Sequence, residues 1–187
     1  MRFTAKVLIL IGLYFIGYSG YHIWKSKQMQ DDALQHAKEM ITDDSDMNRS
    51  SFDPQVGDAI GVLGLPRLDE SLPIIEGVDE EDLAKGVGHY KGTALPSEQG
   101  QIVLSGHRDT VFRRLGELEI GDELEIKMPY GQFKYIIEKT EIVGADDLTV
   151  VRPDYNEDEL LTVTTCYPFR YVGDAPDRYI IYAKRTN

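Results

Sequence analysis

A single cysteine, Cys166, stands in the whole chain. An internal disulfide is therefore excluded, and so is any zinc site built from several thiolates. Basic residues are scarce against acidic ones, 20 Lys and Arg to 32 Asp and Glu, for a formal net charge of −12. That balance argues against a nucleic-acid partner, which needs a basic face. It also argues against adhesion to anionic lipid through surface charge. There is no internal repeat and no low-complexity tract. No phosphate-cradling loop occurs either, because Gly61-x-x-Gly64 lacks the following Lys.

Long apolar runs are absent with one exception. Val7 to Trp24 is 18 residues without a formal charge. As a helix it spans about 27 Å, close to the thickness of a bilayer core. Arg2 and Lys6 precede it, and Tyr14, Tyr18, Tyr21 and Trp24 suit membrane interfaces. The run is long for a cleaved signal peptide, and no small-x-small cleavage site follows it, so an uncleaved signal-anchor is expected. The chain then divides into a cytoplasmic N-terminus (1–6), a transmembrane anchor (7–24), an acidic stem (25–52) and a globular domain (53–187), with the domain outside. The stem carries Asp31, Asp32, Glu39, Asp43, Asp44 and Asp46. Ala33, Leu34, Ala37, Met40 and Ile41 allow a short helix by their spacing. A solvated spacer, mobile near Asp43 to Ser51, is expected.

The domain is patterned for strands. Ala59–Leu63, Leu72–Glu76, Gln101–Gly106, Glu123–Met128, Phe133–Val143, Leu160–Cys166 and Arg178–Lys184 are short apolar or alternating runs bounded by Gly, Pro and Asp. Pro73 suggests that its strand lies at an edge. Pro129-Tyr130-Gly131 turns one hairpin. Asp79 to Gly86 makes one or two helical turns, with acids first, Lys85 late and Gly86 as cap. Val111–Leu115 forms another helical turn. Roughly eight strands with little helix predict an all-β domain, a closed or nearly closed barrel.

Cys166 falls where a strand ends, since Pro168 cannot continue a central strand. A thiol there is exposed yet rigidly aimed, as a nucleophile must be. The opposing reading is a small buried hydrophobe. His107 follows Ile102-Val103-Leu104-Ser105-Gly106 in the same kind of position. His22 lies in the anchor, His36 in the stem, and His89 reads as a structural histidine. Arg178 opens the last strand. Its guanidinium suits an oxygen that becomes negative, although on the residues alone a surface ion pair with Asp174 or Asp177 is the favoured reading. Asp154, Glu157, Asp158 and Glu159 offer calcium a weak site, or simply form a solvated acidic loop.

Four segments taken together resemble the sortases. They are Gly86-Val87-Gly88-His89-Tyr90, Gln101 through Arg108 with Ser105-Gly106-His107, Thr162-Val163-Thr164-Thr165-Cys166, and Arg178 in the final strand. The order His, Cys, Arg and the single N-terminal anchor fit class D best. Val163 stands where Leu is frequent in that family. The resemblance implies a sortase-like barrel and a cysteine transpeptidase on the outer face of a Gram-positive type of membrane. It implies cleavage after Thr of a C-terminal sorting signal such as LPxTG or LPxTA in an exported protein. A thioester acyl-enzyme would follow, then transfer to an amino group of a peptidoglycan precursor. By carry-over, Cys166 attacks, His107 protonates the leaving amine and Arg178 steadies the oxyanion. Leu104, Ser105 and Thr165 are candidate lining residues, and no cofactor is implied. Two rivals remain. One is a cell-wall cysteine peptidase, whose commoner arrangements place Cys before His in the chain. The other is a non-catalytic binding module on a membrane stalk.

Overall fold

The computed structural model describes residues 2–43, 47–152, 155, 158–171 and 173–186. Eight strands close into a barrel in the order β1-β2-β3-β4-β7-β8-β6-β5, and β5 returns to β1. They are β1 (Ala59–Leu65), β2 (Glu70–Glu76), β3 (Val87–His89), β4 (Gln101–Gly106), β5 (Glu123–Met128), β6 (Gly131–Gly144), β7 (Leu160–Tyr167) and β8 (Asp177–Arg185). Neighbours are antiparallel except β2 with β3 and β4 with β7, which run parallel. Helix α1 spans Arg2–Asp43, and α2 spans Glu80–Lys85.

The core follows from alternation. In β5, Leu124, Ile126 and Met128 are buried while Glu123, Glu125 and Lys127 are half-buried. In β6, Phe133, Tyr135 and Ile137 take the inner face. These meet Ile60, Leu63, Ile102, Leu104, Leu161, Val163 and Ile181 inside the barrel. Each such side chain contributes roughly 1.5–3 kcal/mol by leaving water.

Two expectations need correction. The strand carrying Pro73 is not at an edge, since β2 lies between β1 and β3. Pro73 is tolerated because it faces Val62 of β1, while pairing with β3 starts only at Ile74 opposite Val87. Its missing N–H therefore falls outside the β3 ladder. Gly86 is the C-cap of α2, as expected, in an extended conformation with φ 174°. Glycine is needed there for close approach, because a Cβ would lie 2.5 Å from the Pro73 carbonyl oxygen.

The second correction concerns the stem. Residues 25–43 continue the anchor as one unbroken helix. Ala33, Leu34, Ala37 and Ile41 lie on one face at helical spacing. They pack on Ala59, Val62 and Ile75 on the outside of the barrel, with Ala37 fully buried. This explains why β1 is buried on both faces: the core covers one and the stem the other. The Gln30 side-chain amide also donates to the Ala84 carbonyl of α2 at 3.5 Å. Arg49–Ser51 forms a 3-10 turn, tied down by an Arg49–Glu98 ion pair at 2.6 Å. The acids Asp44 and Asp46 lie outside the described residues.

A test follows from this packing. A chain beginning at residue 25 keeps the docking helix, whereas one beginning at residue 53 loses it. Both should retain a β-type circular dichroism spectrum, because the inner core is untouched. The shorter chain should melt lower, by on the order of 5 °C, the scale for losing one to two kcal/mol in a domain of this size. Equal melting temperatures would show that the stem contributes nothing to stability.

Candidate active site

The parallel pairing of β4 with β7 runs from Gln101–Leu160 to Gly106–Thr165 and then stops. The next residue on each strand is the one of interest, His107 and Cys166. The two strand ends therefore emerge side by side. The antiparallel β7–β8 ladder sets Arg178 directly opposite Cys166. One cleft of about 380 Å³ is lined by His107, Cys166 and Arg178 together, along with Ser105 and Thr165. All three of the first group are half-buried.

Local sequence holds each in place. The Thr165 hydroxyl donates to the Gly106 carbonyl at 2.7 Å, fastening the last rung of the ladder. The chain turns after His107, whose carbonyl accepts from the Phe112 amide at 3.0 Å. Phe112 is fully buried, and its ring leaves no room for a Cβ on residue 106, where one would lie 2.6 Å away. Glycine before His107 is thus required by packing. Arg178 donates to the carbonyls of Asp177 at 3.0 Å and Ala175 at 3.4 Å. Among the described residues it makes no ion pair with Asp174 or Asp177, so the surface-pair alternative is not what this geometry holds.

Leu104 is not on the cleft. It is 1% exposed and packs in the barrel core. Alternation explains this, because Leu104 and Ser105 point to opposite faces of β4. His89 is buried elsewhere. Its Nδ1 lies 2.7 Å from a Glu76 carboxylate oxygen, and its Nε2 lies 3.0 Å from the Ala94 carbonyl. This is the structural histidine expected.

The sequence reading missed the cleft's walls. Val78 and Leu83 form one side, from the segment around α2. Leu148, Val150 and Val151 form the other, from the connection between β6 and β7. Leu148 is 77% exposed, an apolar shelf beside the cysteine. The Asp147 carboxylate caps the Leu148–Val150 turn, accepting from the Thr149 amide at 3.0 Å and its hydroxyl at 2.6 Å. Those two bonds push its pKa below the ordinary aspartate value. The only signal in the sequence was a pair of unpartnered valines after an Asp-Asp turn, and nothing there said which face they would meet.

Of the acids considered for calcium, Asp154 and Glu157 lie outside the described residues. Glu159 is engaged by Arg185 at 2.7 Å, the Tyr135 hydroxyl and the Ser97 amide. Among the described residues there is no cluster of three or more His, Cys, Asp or Glu able to hold a metal ion.

A cysteine, a histidine and an arginine on adjacent strand ends, over an apolar-walled cleft, suit acyl transfer through the thiol. The chain and its fold have relatives. Residues 63–186 match the sortase domain family. Sortase D of Bacillus subtilis (strain 168) is 47% identical over 190 residues, spanning 96% of each chain. A Clostridium perfringens sortase D5 transpeptidase superposes with a TM-score of 0.72 at 26% identity, covering 86% of this chain and 99% of that one. The catalytic domain of B. anthracis SrtD does so with a TM-score of 0.61 at 45% identity, covering 76% of this chain and 97% of that one. Helix α1 is also long and apolar enough to cross a membrane. The chain therefore belongs to the sortase family of transpeptidases, as a member of class D.

Proposed function

We propose that the chain is a membrane-anchored enzyme, with its barrel outside the cell, that joins exported proteins to the cell wall. The observation that carries this reading is the convergence of His107, Cys166 and Arg178 on one cleft. The substrate would carry an LPxTG- or LPxTA-like signal, lying with its apolar residues against the cleft walls and its Thr carbonyl at Cys166.

The Cys166 thiolate adds to the Thr carbonyl carbon, and the oxygen becomes negative. Arg178 supplies donors to that oxyanion, the kind of fixed charge that gains most in a partly dehydrated site. The carbon–nitrogen bond breaks as the His107 imidazolium gives its proton to the departing amine. A thioester remains on Cys166. An amino group of a peptidoglycan precursor attacks the thioester, neutral His107 accepts the proton released, and the thiolate leaves. A new Thr amide is the product. Ser105 and Thr165 flank the path of the peptide. No step is assigned to a cofactor or to calcium.

The full chain in detergent should cleave a Leu-Pro-x-Thr-Ala or Leu-Pro-x-Thr-Gly peptide after Thr. With a supplied amine it should form the Thr-amide adduct. Hydrolysis with no adduct at any amine concentration would favour the peptidase reading. No cleavage of either peptide would remove this assignment of substrate.

A further inference from the structure

The β4–β7 ladder ends one residue before both His107 and Cys166, so backbone hydrogen bonds between those two strands stop where alignment matters most. We infer that Arg108 is a positioning residue, whose side chain continues this pairing past the end of the ladder and so holds His107 in register with Cys166. The inference rests on the reaction proposed above.

Arg108 follows His107 directly, and its guanidinium crosses to the loop that follows Cys166. Nη1 donates to the Pro168 carbonyl at 3.3 Å. Nη2 donates to the carbonyls of Tyr171 at 3.0 Å and Gly173 at 2.8 Å. The guanidinium carbon also sits 5.8 Å from the centre of the Tyr171 ring. Three carbonyls from one short loop thus converge on one fork. A planar guanidinium gives one nitrogen to the Pro168 carbonyl and a second to the Tyr171 and Gly173 carbonyls, whereas a lysine ammonium has a single nitrogen to offer.

Among the described residues, little else holds the middle of this loop. Its start is anchored by Phe169, which packs with Tyr167 and Tyr179 at ring distances of 5.6 and 5.3 Å. Its end is anchored by the β7–β8 ladder, which begins at Tyr167–Asp177. Between these, Arg170, Tyr171, Gly173 and Asp174 are exposed. The Cys166–Arg178 relation is already set by the ladder. The relation not set by backbone pairing is that of His107 to Cys166, and among the described residues the Thr165 hydroxyl and the Arg108 fork span it. Arg108 does not line the cleft, so its effect falls on alignment of the reacting groups and not on peptide binding.

The test compares wild type with Arg108→Lys and Arg108→Ala in the full chain. Steady-state kcat and KM are measured with the sorting-signal peptide, and amide hydrogen exchange over residues 167–176. Both variants should lose kcat by roughly tenfold to a hundredfold, the scale for misplacing a catalytic group by about an ångström. KM should stay within about twofold, and exchange in the loop should rise. Lysine rescuing kcat would show that charge, not the fork, matters, and would overturn the inference. So would an unchanged kcat, or a raised KM with kcat intact. If Arg108→Ala does not fold, the Arg108→Lys comparison decides alone. Wild-type protein that fails to turn over the peptide would count against the proposed substrate, whereas unaltered exchange in both variants would count against the clamp itself.

Discussion

Replacing Cys166 with alanine is expected to abolish peptide cleavage and amine transfer alike, a loss on the order of 10⁴-fold or more, the scale for removing a covalent nucleophile. On the proposed mechanism both reactions pass through one acyl-enzyme, and no other side chain lining the cleft can form one at comparable rate. Ser105 is the nearest chemical substitute on the wall, but a hydroxyl is far less ionised than a thiol at neutral pH and would need its own base. The substitution removes one half-buried atom at a strand end, so the barrel should keep its fold. Initial rates with and without amine, beside a thermal melt, check this. A folded Cys166→Ala protein that still forms product at an undiminished rate would end the covalent mechanism.

His107→Ala should lower cleavage of the amide substrate by on the order of 10²–10⁴-fold, the range for a general acid or base. The reason is specific to nitrogen. An amine leaves the tetrahedral intermediate readily only when it takes a proton, and His107 is the histidine that lines the cleft with Cys166. An ester analogue with a good leaving group needs no such proton. The deficit of His107→Ala should therefore shrink by at least about tenfold when the scissile amide becomes an activated ester. Equal deficits on both substrates would move His107 from proton donor to some role in keeping the thiol ionised. His89, buried against Glu76 and Ala94, has no place in this scheme.

The legibility of the chain varied with how local each signal was. β5 was plain because Leu124, Ile126 and Met128 alternate with charged residues, a pattern that needs no knowledge of the partner strand. β3 was missed as a strand because it is three residues long, too short for any period to show. The stem was misjudged for a different reason. Its acids dominate the composition, yet the small apolar face around Ala37 is what meets the barrel. The complementary sign was in β1, where Ile60, Val62, Leu63 and Leu65 break strict alternation because both faces are covered. Leu104 and Ser105 were both assigned to the cleft, although neighbours in a strand face opposite ways. Cys166 and His107 were legible as strand ends. That the two ends lie side by side follows from the parallel β4–β7 crossover, which spacing along the chain does not encode. The apolar shelf of Leu148 and its valines depended on the same crossover, since the connection before β7 must pass over the cleft.

The central claim is a covalent acyl-enzyme on Cys166, and intact-protein mass spectrometry addresses it most directly. The full chain in detergent is mixed with a Leu-Pro-x-Thr-Ala peptide in the absence of amine, quenched in acid and weighed. The account predicts a mass increase equal to the peptide's N-terminal fragment through Thr, less one water. The adduct should map to Cys166, disappear on treatment with hydroxylamine as a thioester does, and be absent from Cys166→Ala. Cleaved peptide accumulating with no adduct at any quench time, or an adduct on any other residue, would contradict it.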